Sequence, residues 1–138
     1  MFLSSESLAS EHAAQLEQKI FTRILQAITH HREPYYVYYH GKRLPVGLKN
    51  NSKIRLVGNP EAAEVIIIGS SRFSSRFSAL NKPILTLDYE QLKRYANAVG
   101  AYFWQKGRPN IVMIRSRLDK AKISLPSDFD RYIDNTIW

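Results

Sequence analysis

With 138 residues, 44% of them apolar and 23% charged, the chain has the composition of one folded domain, long enough to bury about two-thirds of its unfolded surface around a single core. It contains no cysteine, which excludes disulfides, thiolate metal sites and a cysteine nucleophile together. The formal charge of +8 would suit nucleic acid, an anionic membrane or an acidic partner, but the cations form no run of five or more, so a solvated basic surface is expected and nucleic acid is not the expected partner.

The apolar runs are far shorter than the roughly 18 residues that a membrane span needs. Residues 1–10 lack the basic start and apolar core of a signal peptide, so the chain reads either as cytosolic or as an exported protein whose leader has been removed. Residues 1–9 are read as a flexible segment before a single domain of residues 10–138.

From residue 10 to 30, Leu16, Ile20, Phe21, Ile24, Leu25 and Ile28 recur at helical spacing with Glu17, Lys19, Arg23 and Gln26 between them. This pattern predicts a long amphipathic helix, with Ser10 as N-cap and Pro34 barring its continuation. The run Tyr35-Tyr36-Val37-Tyr38-Tyr39 predicts a strand with rings on both sides of a sheet. Residues 53–57 alternate polar and apolar as a half-buried strand should.

Val65, Ile66, Ile67 and Ile68 are four β-branched residues without alternation, the pattern of a central, parallel strand covered on both faces. The turn that follows, Gly69-Ser70-Ser71-Arg72, lies where open α/β sheets place ligands, and its amides with Arg72 form a candidate anion half-site. The same residues also read as an ordinary turn, with Ser70 or Ser71 capping a helix over residues 73–80.

Residues 84–87 (ILTL) predict another strand, and Asp88 with Gln91 has the spacing of a capping box for a helix starting near Tyr89. Two apolar and aromatic runs, 99–105 and 110–115, flank Lys106-Gly107-Arg108-Pro109 and predict an antiparallel hairpin. Ser116 is placed to cap a short helix with Leu118, Ala121 and Ile123, and Pro126 to start another with Phe129, Tyr132 and Ile133 on one face. The fold class implied is α/β: one domain with a mixed sheet, helices on its faces, a long N-terminal helix and an antiparallel hairpin near the C-terminus.

Chemistry is harder to find. His12, His30, His31 and His40 are the only histidines; His30 and His31 point to different helix faces, so no metal site is assigned. No HExxH, GxSxG, P-loop or dinucleotide fingerprint occurs, and Asp88 is explained by capping. No catalytic residue and no cofactor are assigned, and an enzyme is not expected.

In order and spacing, KIFTRILQ (19–26), PYYVYYHGK (34–42), LVGNPEAAEVIIIGSS (56–71), KPILTL (82–87) with its following acid, AVGAYFWQKGRPNIVMIR (98–115) and ISLPSDF (123–129) together resemble the YfiR family of small bacterial periplasmic regulators. The likeness runs over residues 17–133. It implies a non-catalytic exported protein that binds the periplasmic part of a membrane signalling protein, such as a diguanylate cyclase in cyclic di-GMP signalling, and modulates it. The cysteines common in that family are missing, so redox control does not transfer, and the turn 104–109 is more basic and aromatic than is typical.

A regulator of this kind needs an exposed apolar patch. Tyr102, Phe103 and Trp104, with Tyr35 and Tyr38, are its candidates, and Lys106 and Arg108 form a polar rim. The same aromatics also read as sheet core. A small-anion-binding protein using Gly69, Ser70, Ser71 and Arg72, a basic nucleic-acid-binding protein, and self-association into a homodimer are the alternatives.

Overall fold

The computed structural model describes residues 5–135 and residue 137. Helix α1 (Ser5–Thr29) leads into β1 (Tyr35–His40), then β2 (Ile54–Leu56), β3 (Val65–Ile68), α2 (Ser75–Ser78), β4 (Ile84–Thr86), α3 (Tyr89–Arg94), β5 (Ala98–Gln105), β6 (Arg108–Ile114), α4 (Arg115–Lys120) and β7 (Ile133–Asp134). Short 3₁₀ helices lie at Val46–Leu48, Pro60–Ala62 and Ser127–Tyr132.

The seven strands form one sheet in the order β2-β1-β3-β4-β5-β6-β7. The first five are mutually parallel, β6 returns antiparallel to β5, and β7 runs parallel to β6. The mixed α/β architecture expected from the sequence is therefore present, hairpin included. Strand β3 is central and fully buried, as its unbroken β-branched run requires.

Alternation along the strands divides the core in two. On one face Val37, Val65, Ile67 and Leu85 meet Phe21, Ile24, Leu25 and Ile28 of α1. On the other, Ile66, Ile68 and Ile84 meet Phe77 of α2 and Leu92 of α3. Burying each such side chain contributes on the order of 1.5–3 kcal/mol, so α1 is anchored by its C-terminal half. At about 1.5 Å per residue its 25 residues reach roughly 37 Å. Leu16, expected on the buried stripe, is 42% exposed.

Several local expectations are corrected. Helix α1 begins by Ser5, so Ser10 is interior to it rather than its N-cap; residues 1–4 of the expected flexible segment lie outside the described residues. Helix α2 is a single turn with Ser74 at its N-cap, and neither Ser70 nor Ser71 caps it: Ser71 Oγ donates to the Gly69 carbonyl, while the Ser74 N–H donates to Tyr95 Oη.

Only half of the capping box forms. Asp88 Oδ1 accepts from the Gln91 N–H at 2.7 Å, but Gln91 Nε2 donates across to the Ser71 carbonyl instead of reaching back. Helix α4 follows β6 directly, with Ile114 at its N-cap, so Ser116 is already inside the helix. Ile133 lies in the added edge strand β7, opposite Met113, and not on a helix. Strand β2 is a short edge on which Leu56 is exposed rather than half-buried.

Candidate functional site

Parallel order reverses between β1 and β3: the chain leaves β1 towards β2 on one side, and β4 and β5 follow β3 on the other. This is the switch point at which open α/β sheets hold ligands beyond their carboxyl ends. Here the protein fills it with its own side chain. A Cβ on Gly41 would lie 2.4 Å from Tyr39 Oη, and one on Gly69 2.3 Å from the same atom, so the phenol is wedged between two glycines that leave it room. Tyr39 Oη donates to the Arg43 carbonyl at 2.5 Å, and burial pushes its pKa up.

The expected half-site Gly69-Ser70-Ser71-Arg72 lies beside this plug. The Gly69 N–H is spent on the His40 carbonyl, and the Ser71 carbonyl and hydroxyl are spent on Gln91 and Gly69. Ser70 and Arg72 point outwards as exposed residues. The turn is tied down internally and does not gather its amides around an open hollow.

The hairpin arm presents a different surface. Lys106 and Gly107 occupy its two-residue turn with φ of 55° and 75°, the left-handed pair that matches the twist of the flanking strands. Pro109 pairs with Trp104 and Arg108 with Gln105, so the arm continues β5 and β6 beyond the end of β4. The register of β4 against β5 shifts between Ile84 and Leu85, opposite Ala98 and Gly100.

One carboxylate organises the base of this arm. Glu17 Oε1 accepts from the Gly47 N–H at 2.8 Å, while Oε2 accepts from Tyr102 Oη at 2.9 Å and Trp104 Nε1 at 3.0 Å. Burial first, and the Glu17 carboxylate second, push the Tyr102 phenol well above its ordinary range. Helix, 3₁₀ turn and hairpin are thereby joined at one point. In the chain, exposed apolar residues adjoin these contacts: Leu16 precedes Glu17, Val46 (53% exposed) precedes Gly47, and Trp104 itself is 41% exposed.

The sequence-derived aromatic candidates therefore separate. Trp104, Lys106 and Arg108 are exposed on the arm. Tyr102 is only 2% exposed and packs edge-on against Phe21 at 5.0 Å, so it belongs to the core and not to a patch. Tyr35 is buried as well, while Phe103 and Tyr38 are half-buried against the opposite core. Leu16, Val46 and Glu17 were not among the candidates; Leu16 carried an apolar signal, which the sequence read as part of the buried stripe and not as exposed surface.

The remaining polar groups have structural work. His31 pairs with Glu64, whose other oxygen accepts from the Tyr36 N–H, and His40 lies 4.7 Å from the Phe77 ring. Among the described residues no group of three or more His, Asp or Glu could hold a metal ion. In the basic groove beside α1, Arg23 pairs with Asp128 at 2.8 Å and Lys53 with Glu33 at 3.7 Å, which offsets much of its charge. Among the described residues no helix is long and apolar enough to cross a membrane. Compared with known proteins, the chain matches no protein-family model and no curated protein sequence.

Proposed function

We propose that this protein is a non-catalytic regulatory module of YfiR type that binds the periplasmic domain of a membrane signalling protein, such as a diguanylate cyclase, through the surface around Trp104. The observation that carries the reading is the anchoring of an exposed tryptophan: its indole N–H is fixed on Glu17, so its ring is presented without freedom to lose on binding. Trp at the centre of a small apolar patch with an arginine nearby is the composition in which binding energy concentrates. Leu16 and Val46 supply further apolar surface, and Lys106 and Arg108 a cationic rim suited to an acidic partner.

The plugged switch point supports the same reading, because the place where this architecture would take a small ligand is occupied by Tyr39. Regulation then follows from differential affinity: a module that binds one conformation of a sensor domain more tightly shifts the sensor towards that conformation.

The test is in-cell photo-crosslinking from position 104, with the exposed position 94, at the end of α3 where the chain enters β5, as control, followed by fractionation and mass spectrometry of the protein's N-terminus. The expected result is a processed, periplasmic protein whose position-104 adduct contains a membrane receptor. An unprocessed cytosolic protein, or identical adducts from both positions, would overturn the proposal.

A further inference from the structure

At the opposite end of the sheet, residues 78–83 entering β4, residues 96–97 entering β5 and helix α4 enclose a cavity of about 440 Å³. That size falls within the roughly 300–1,000 Å³ of small-molecule sites. Three cations, Lys82, Arg117 and Lys120, line it together with Ser78, Asn81 and Asn97, and no carboxylate does.

Two of these cations are held in place without being neutralised. Arg117 Nη1 donates to the carbonyls of Leu92, Tyr95 and Ala98 at 2.5, 2.8 and 3.0 Å, across the C-terminal end of α3. Lys82 Nζ donates to the carbonyls of Glu61 and Ala63. Among the described residues none of the three forms an ion pair, in contrast to Arg23 and Lys53 of the groove beside α1. The wall behind them is braced: Asn97 Nδ2 donates to the carbonyls of Phe77, Leu80 and Lys82 at 3.1–3.2 Å.

Burial without a counter-charge is costly for a guanidinium, and burial does disfavour the charged form of Arg117. An anion in the cavity would offset that cost. A guanidinium presents its donors as a planar fork that matches phosphate oxygens, and these three carbonyls engage Nη1 alone. Lys120, exposed on the next turn of α4, adds a mobile charge at the rim.

We infer that the cavity lined by Lys82, Arg117 and Lys120 is a binding site for a small phosphate-bearing molecule, separate from the surface around Trp104 and at the other end of the sheet. The site serves as a second input to the protein and does not depend on which partner Trp104 meets.

Inorganic phosphate is the probe, titrated into the ¹⁵N-labelled protein at low ionic strength with amide shifts followed by NMR. The expected result is saturable movement of amides at residues 79–82, 96–97 and 117–121, an affinity about tenfold weaker in Lys120→Glu, and no weakening in Lys19→Glu of the α1 groove. Because Lys120 is exposed, that variant keeps its fold where Arg117→Ala would risk it. Shifts spread over the basic surface without saturation, or equal weakening by the two variants, would overturn the inference.

Discussion

The indole N–H of Trp104 donates to Glu17 Oε2 at 3.0 Å, joining residues 87 positions apart, and the same oxygen accepts from Tyr102 Oη. Three neutral donors on one carboxylate require an acceptor-only group, because each of its oxygens must receive and neither can give.

Glu17→Gln breaks that match. Whichever way the amide turns, its NH₂ faces either the Gly47 N–H or the Trp104 N–H, and one donor is left unpaired. The expected cost is about 1–3 kcal/mol, read as a lower midpoint in urea, together with a shifted indole N–H resonance for Trp104. An unchanged indole resonance would show that the carboxylate does not hold the ring. If Trp104 is the docking residue, the variant also binds its receptor more weakly.

The Tyr39 plug yields a coupling experiment. Gly69→Ala places a methyl group against the phenol, and the ring escapes only by giving up its bond to the Arg43 carbonyl. The substitution should destabilise the wild-type protein by about 1–3 kcal/mol. In a Tyr39→Ala background most of that loss should vanish, giving a coupling energy of roughly 0.5–3 kcal/mol in a double-mutant cycle by urea denaturation. Simple additivity would mean that the ring does not fill the crevice.

How legible this was from sequence depends on distance along the chain. The β-branched run 65–68 reports its own burial, and the Lys106-Gly107 turn its own backbone, so strands and hairpin could be read locally. Caps were less legible because serines are common and several compete: Ser70 and Ser71 had the right chemistry, yet the turn reached α2 only at Ser74. Gln91 found a better acceptor 20 residues away in the Ser71 carbonyl. Tyr102 and Trp104 looked alike in sequence and both reach Glu17, but Tyr102 packs on Phe21 inside the sheet while Trp104 lies two residues nearer the turn and stays exposed. The charge pattern of the cavity at Arg117 joins Lys82 of one connection with Arg117 and Lys120 of α4 and has no sequence signature.

Gly100 of β5 pairs with Met113 of β6 and follows the register shift against β4. A Cβ there would lie 2.5 Å from the Val112 carbonyl oxygen and 2.4 Å from Met113 Sδ. The thioether can move, but the paired backbone cannot without opening the hairpin. Gly100→Ala should therefore cost about 1–3 kcal/mol or more, and Met113→Ala should not rescue it. Rescue by Met113→Ala would place the conflict in the side chain and not in the backbone, a distinction that thermal denaturation of the two variants and their combination would make.

His31 supplies the pH dependence. Its Nδ1 lies 3.0 Å from the Arg32 carbonyl, which favours the protonated ring most; burial opposes that preference, and the Glu64 carboxylate adds to it. The pKa in the folded protein is therefore raised above its ordinary value of 6.5. A group whose folded pKa is raised contributes stability that is fully present below the unfolded pKa and lost as the pH rises through the folded one. The pairing between α1's end and the β3 approach should thus be strongest below about pH 6 and fade above neutrality. Because the His31 ring is about half exposed to solvent, which screens the pair, the contribution is at most about 1 kcal/mol. Titrating the His31 ring protons by NMR should give a midpoint above 6.5 that falls in Glu64→Gln, and the melting-temperature difference between the wild type and His31→Gln should shrink from pH 5.5 to pH 8. A midpoint unmoved by Glu64→Gln would assign the shift to the Arg32 carbonyl alone.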